Sequence, residues 1–460
     1  MSVPEPPPAR PPTWGSHPAG PAGTDGPGAG PWSPALAVTC ASAACLVLLV
    51  VGVLAARPDV AVLGAAPLVL AVRALRGRPS GASTARFEAG DDDDPDALGR
   101  AGRLRATLVV EGPGPWAAVT TTRQGRTGAD VLVRVDGTRR LTVVARTVRT
   151  GPQEVASADV QGVGPDGASV AEPTPTVTRS TVVLPATTPL LDLPLPTRLR
   201  GLTGPHESRR PGEGGGLRDV HPWVPGDRLR RIDWRVTARR SPDLRELYVR
   251  REHAQAEAVV MLVVDSRDDL GPDPRTWRGS VAPRAQDATS LDRARQAAAS
   301  LARAYLERGD RVGLDDLGVR RRPVAPGGGR RQLDRIRHAL ALTAPEGEPT
   351  ARLRPPRLPS GALVVVFSTF LDDESAAVAA RWRTAGHRVV AVDVLPRLRT
   401  SGLYDRERLA LRMMTLTRED RMAELADQDV ELVTWRDQPA VALRVLARRA
   451  RRHAGAGVPR

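Results

Sequence analysis

GGGLRDVHPWVPGDRLRRIDWRVTARRSPDLRELYVRRE, residues 214–252, leads within a few residues into AVVMLVVD, residues 258–265, and this junction decides how the chain is read. The first stretch follows no simple period. It combines Gly-Asp turn chemistry, two Trp residues and alternating acids and arginines, a richer set than an ordinary connection carries. The second is a short apolar run ending in a carboxylate, the pattern of a buried strand.

Downstream the same alternation repeats. Strands are expected at 258–265, 311–317, 362–368, 388–395 and 430–435. Helices are expected at 291–308, 330–342, 372–385, 417–426 and 439–453. Apolar strands separated by amphipathic helices predict a doubly wound parallel α/β sheet over 258–455, with ligands at the carboxyl ends of its strands. Those ends hold Asp265, Ser266, Arg267, Asp268 and Asp269, then Ser368, Thr369, Asp372 and Asp373, then Asp393.

Upstream, 100–200 is Val/Thr-rich in short runs (104–110, 131–135, 141–144, 180–184) broken by Gly, Pro and Asp-Gly. This predicts an all-β, immunoglobulin-like sandwich, with a hairpin turn at Asp136-Gly137. Residues 1–33 are Pro/Gly-rich with few bulky apolar groups and are expected to be disordered. Residues 35–56 carry no charge over about one bilayer crossing. A second apolar run, 60–72, contains Pro67 and is followed by Arg73, Arg76, Arg78 and Arg86. The expectation is a transmembrane helical hairpin over 34–76 in a multi-pass cell-membrane protein, with the soluble domains cytoplasmic. The segment 77–99, with four Asp at 91–94, reads as a solvated linker without calcium-loop spacing. Segment 201–257 carries the motif.

The 460 residues carry 67 Lys+Arg against 52 Asp+Glu, a net charge of +15. There is no Lys and no Asn, as a GC-rich genome favouring Arg codons would give. Excess positive charge favours anionic surfaces. An aromatic content of 3% and the acids interleaved in the motif argue against nucleic acid as a partner. Cys40 and Cys45 lie inside an apolar run and build no disulfide framework. The histidines show no metal-ligand spacing. The Gly run at 327–329 lacks the Lys-Ser/Thr of a phosphate loop, and no nucleophile stands with a partnered base. No enzyme activity and no cofactor are expected.

Within the motif, Gly226-Asp227 predicts a tight turn. Asp227 and Asp233 with Arg231, Arg235 and Arg239 predict bidentate ion pairs, and Trp234 is expected to fill an apolar slot. The segment reads either as a clamp between the β and α/β domains or as a docking surface for a partner.

The pattern Arg218 to Asp227, with Trp223 and Gly226, followed by Arg231-Ile232-Asp233-Trp234 and Ala238-Arg239, resembles the signature of domain of unknown function 58. The resemblance covers about 50 residues at several fixed spacings. It implies membrane helices, a β domain and a von Willebrand factor A-like domain. It also implies work beside a MoxR-type AAA+ ATPase in assembly, maturation or chaperone-like processes at the cell envelope, with an unknown client. Two positions depart from the family: Trp223 stands where Tyr is common, and Arg228 replaces the second Asp of Gly-Asp-Asp. A metal site of the von Willebrand A type needs Asp-x-Ser-x-Ser. Here Asp265, Arg267 and Asp269 stand there, so a Mg²⁺ site at Asp265 and Asp269 would be degenerate, with an Arg in the metal's place. Two other classes fit parts of the chain. One is a metal-dependent hydrolase using Asp265, Asp268, Asp269 and Asp372. The other is a basic protein bound to anionic membrane or nucleic acid.

Overall fold

The computed structural model describes residues 32–88, 103–123, 127–200, 204–279, 281, 283–284, 286–318, 322–346 and 358–455. The expected tail, save its last two residues, and the four acids at 91–94 lie outside them.

A two-residue strand, β1 (Ser33–Pro34), leads into helix α1 (Leu36–Leu54), which is uncharged throughout. The chain then returns as α2 (Pro58–Leu63) and α3 (Ala65–Arg76), separated at Gly64. Gly52 of α1 lets the return limb approach closely: a Cβ there would lie 2.7 Å from the Ala61 nitrogen. Among the described residues α1 is the one helix long and apolar enough to cross a bilayer. The 12 residues of α3 rise about 18 Å, against a hydrocarbon core of about 30 Å. The expected multi-pass anchor is therefore not supported, because the second apolar run is split at Gly64. Both ends of this helical pair rest on the next unit. Ala35 N donates to Ala168 O at 3.0 Å, and Arg73 pairs with Asp166 at 3.2 Å.

That unit contains β2 (Thr84–Glu88), β3 (Arg103–Gly112), β4 (Trp116–Arg123), β5 (Thr127–Arg134), β6 (Gly137–Arg146), β7 (Gly151–Val163), β8 (Ser169–Val170) and β9 (Val177–Val183). They form two antiparallel sheets. One runs β1-β8-β7-β4-β5 with β9 also on β7, and the other runs β2-β3-β6. Inward Leu108, Val110 and Val143 of the second sheet meet Val119, Ala158 and Val160 of the first. The hairpin expected at Asp136-Gly137 does not form. β5 pairs with β4 while β6 pairs with β3, so the chain changes sheets there, with Gly137 at φ 81°. Asp-Gly chemistry marks a sharp reversal, but the inward residues on either side belong to opposite sheets.

Segment 204–257 forms a two-stranded ribbon, β10 (His206–Pro222) against β11 (Tyr248–Ala256), with helix α4 (Trp234–Arg240) in the connection. Its base is fixed by buried Asp310, which accepts from Ala258 N at 2.9 Å and lies 2.9 Å from His206 Nε2.

The remaining elements are β12 (Val259–Val264), α5 (Ser290–Glu307), β13 (Arg311–Asp316), β14 (Val324–Gly327), α6 (Arg330–Ala341), β15 (Leu363–Ser368), α7 (Asp373–Thr384), β16 (Arg388–Asp393), α8 (Asp405–Asp427), β17 (Glu431–Thr434) and α9 (Pro439–Gly455). They build a sheet ordered β14-β13-β12-β15-β16-β17, parallel except for the antiparallel edge β14. Val260, Leu262 and Val365 face α5, α6 and α9, while Val263, Val364 and Val366 face α7 and α8. Burial on both faces explains the unbroken apolar runs. Each fully buried Val or Leu contributes about 1.5–3 kcal/mol.

The β unit meets the α/β unit where β7 begins and α5 starts. Thr289 and Asp292 form a capping box on α5. Asp292 also accepts from Thr150 Oγ1 at 2.7 Å and pairs with Arg149 at 2.7 Å. Buried Arg295 donates to Thr150 O at 2.8 Å and to Thr343 O. From there residues 187–195 run along α5, where Tyr305 Oη donates to Pro194 O at 2.6 Å.

Candidate functional site

In a doubly wound sheet the first strand's carboxyl end, where neighbouring connections leave on opposite faces, is where side chains converge. Here β12 and β15 end side by side, and Asp265 N donates to Phe367 O at 2.9 Å. Asp265 and Arg267 form a bidentate pair: Nε donates to Oδ1 and Nη2 to Oδ2, each at 2.8 Å. Ser368 Oγ donates to Asp265 Oδ2 at 2.7 Å. The same guanidinium donates to Glu374 at 2.8 Å and to Asp372 at 3.0 Å. Asp372 in turn caps α7 by accepting from Glu374 N at 3.1 Å. The Arg267 side chain is 4% exposed. Burial opposes its charge, but the hydrogen bonds and charges of Asp265 and Asp372 outweigh that and hold it above the ordinary arginine value.

Asp268 sits half-buried beside this cluster. Burial pushes its carboxyl up, and the charges of Asp265 and Asp372 push it further, against the pull of Arg267. Asp316, at the end of β13, is raised by burial, while its hydrogen bonds from Ser266 and Gly318 act the other way. Asp393, ending β16, accepts from Leu395 N at 2.9 Å and pairs with Arg418 at 2.6 Å.

Asp265 and Asp269 are not brought to one ligand set. Asp269 turns away to Arg149 of the β unit at 3.0 Å. Among the described residues no group of three His, Cys, Asp or Glu is placed to hold a metal. The side chains do not fit Mg²⁺, since both oxygens of Asp265 already accept from a cation. The hydrolase set fares no better. Asp265 and Asp372 are held by Arg267 and Asp269 by Arg149, so the four carboxylates do not converge on one ligand.

The ribbon carries the rest of the expected site. Gly226, at φ 105°, makes the expected turn, with Asp227 N donating to Val224 O at 3.0 Å. Trp223 Nε1 donates to Asp227 O at 3.1 Å, and Asp227 accepts from Val224 N at 3.1 Å. Asp227 lies 3.5 Å from His221 and 3.7 Å from Arg251. Asp233 caps α4 through Val236 N at 3.1 Å, its own N–H donates to Tyr248 O, and it lies 3.9 Å from Arg250. Arg231 donates to Gly212 O at 3.2 Å, and Arg218 lies 3.6 Å from Asp219.

Two expectations need correction. The bidentate pairs do not form: Asp227 and Asp233 are spent on backbone N–H groups, and Arg235 and Arg239 point into solvent. Trp234 fills no slot and is 61% exposed. The polar contacts of Asp227 and Asp233 stay inside the ribbon, while the inter-domain seam is built by Arg149, Thr150, Asp292 and Arg295. The one local signal near that seam is the Thr289-x-x-Asp292 spacing of a capping box, which marks the start of α5 and not its partner. Nothing in the sequence pairs Asp292 with Arg149.

Residues 219–401 match the family model described as Protein of unknown function DUF58. No curated protein and no solved structure matches the chain. The matched span runs from the second half of β10 through the Arg267 cluster to the loop before α8. By that match, residues 219–401 of this chain are similar to the DUF58 family of proteins of unknown function.

Proposed function

We propose that the chain is a membrane-anchored, non-catalytic interaction protein that works with a MoxR-type AAA+ ATPase in assembling or maturing other proteins. The observation that carries this reading is the state of the strand ends. Among the described residues, Asp265, Asp372 and Glu374 are engaged by one buried guanidinium where this fold gathers its chemistry, so these three carboxylates are taken up by an internal cation. The ribbon, by contrast, presents Trp and Arg to solvent. The sheet order with its antiparallel edge β14 supports a von Willebrand factor A-like reading of the α/β unit. The two antiparallel sheets support an immunoglobulin-like reading of the β unit. Anchoring rests on α1, and Arg73, Arg76, Arg78 and Arg86 after it favour a cytoplasmic placement of the rest. The ATPase enters through the resemblance of the ribbon motif.

The test is association of the full chain, in lipid nanodiscs, with a purified MoxR-type ATPase held in ATP and ADP states. Affinity that depends on the nucleotide is expected. Absence of association in both states contradicts the proposal.

A further inference from the structure

Helix α4 turns most of its surface to solvent. Trp234, Arg235, Ala238 and Arg239 lie within about 140° of the helix circumference at 100° per residue. All four are exposed, and Thr237 on the opposite side is fully buried. The helix is short, yet it is firmly held. Asp233 caps it, Tyr248 N donates to Thr237 Oγ1 at 2.9 Å, and Ile232 bridges to Val249. An exposed Trp and two arginines are thus offered in a fixed arrangement, the side-chain types and rigidity that dominate interface energetics. Exposed Arg235, Arg239, Arg240 and Arg245 outnumber the exposed acids Asp243 and Glu246 beside them, so the outward surface is net basic around an aromatic centre.

We propose that this face docks a protein whose complementary surface is an apolar pocket for Trp234 rimmed by carboxylates for Arg235 and Arg239. This rests on the interaction reading above. The chain's own bilayer is disfavoured as occupant. The 13 residues of β7 separate the helical pair from the α/β unit by about 43 Å, and the ribbon springs from the far edge of a sheet about 20 Å deep. The nine residues of β11 reach about 30 Å, too short to return.

The test places a photo-crosslinking residue at Ala238 of the full chain in its native membrane, with mass-spectrometric mapping of the partner peptide. The expected result is a protein adduct on an acidic surface, with yield falling at least about tenfold in Trp234→Ala and again in Arg235→Glu/Arg239→Glu. An adduct on an acidic protein other than an AAA+ ATPase leaves this docking face standing and removes the ATPase from the function proposed above. Adducts only with lipid, no adduct, or a yield unchanged in both variants overturn the docking face.

Discussion

At the scale of single residues, the decisive side chain is Arg267. It stands where a bound cation would otherwise balance the acids at the ends of β12 and β15, and it satisfies Asp265, Asp372 and Glu374 together. Removing it would strand those carboxylates in a largely buried place. Arg267→Ala is expected to destabilise the protein by about 3–5 kcal/mol, read as a lower chemical-denaturation midpoint. Asp268 gives a pH signature. Its carboxyl is pushed up from the ordinary value near 3.8, so the folded state holds its proton more tightly than the unfolded state. Ionised Asp268 therefore costs stability above its folded value, and the cost disappears below the ordinary value. Asp268→Asn should raise the unfolding midpoint at about pH 7 and lose that advantage at about pH 3, measured by thermal melts. Arg267 was legible in the sequence as an arginine in a metal's place. The departure of Asp269 to Arg149 was not, because the two lie 120 positions apart.

At the scale of elements, the ribbon is organised by capping and turn chemistry rather than by ion pairs. Asp233→Ala should cost about 1 kcal/mol and speed amide exchange across 234–240 roughly fivefold, leaving exchange in β12 and β15 unchanged. A broad effect on the parallel sheet would mean that α4 supports the fold instead of being displayed by it. The parallel strands were readable because burial on both faces leaves long apolar runs. Helix α8 was only half readable. The expected helix covered 417–426, but the element runs Asp405–Asp427. Its first half turns Leu409, Met413 and Leu416 to solvent, so no buried stripe marks it. The edge strand β14 is not legible in the sequence, because four residues with Pro and Gly carry no strand period. The exposure of Trp234 is not legible either, because an apolar side chain in a sequence signals burial unless something else in the fold requires display.

At the scale of the whole molecule, an apolar helix, a two-sheet β unit and a parallel α/β unit are joined in series by contacts the sequence scarcely announced. The seam at Arg149, Thr150, Asp292 and Arg295 is the coupling. Asp292→Ala would leave buried Arg295 and half-buried Arg149 short of the carboxylate they share. It should cost about 3–5 kcal/mol and split one calorimetric transition into two. A single unchanged transition would show that the units are held by other contacts. The order of units was legible from composition shifts along the chain. The sheet change at Asp136-Gly137 and the seam depend on distant partners and could not be read from local pattern. The central claim is that an internal guanidinium closes the strand ends to metal, so that the protein acts through its surfaces. Calorimetric titration of Mg²⁺ into the full chain, with Asp265→Ala and Arg267→Ser alongside, tests it most directly. The account predicts no saturable binding to the wild-type protein and its appearance in Arg267→Ser. Saturable wild-type binding that vanishes in Asp265→Ala would contradict it.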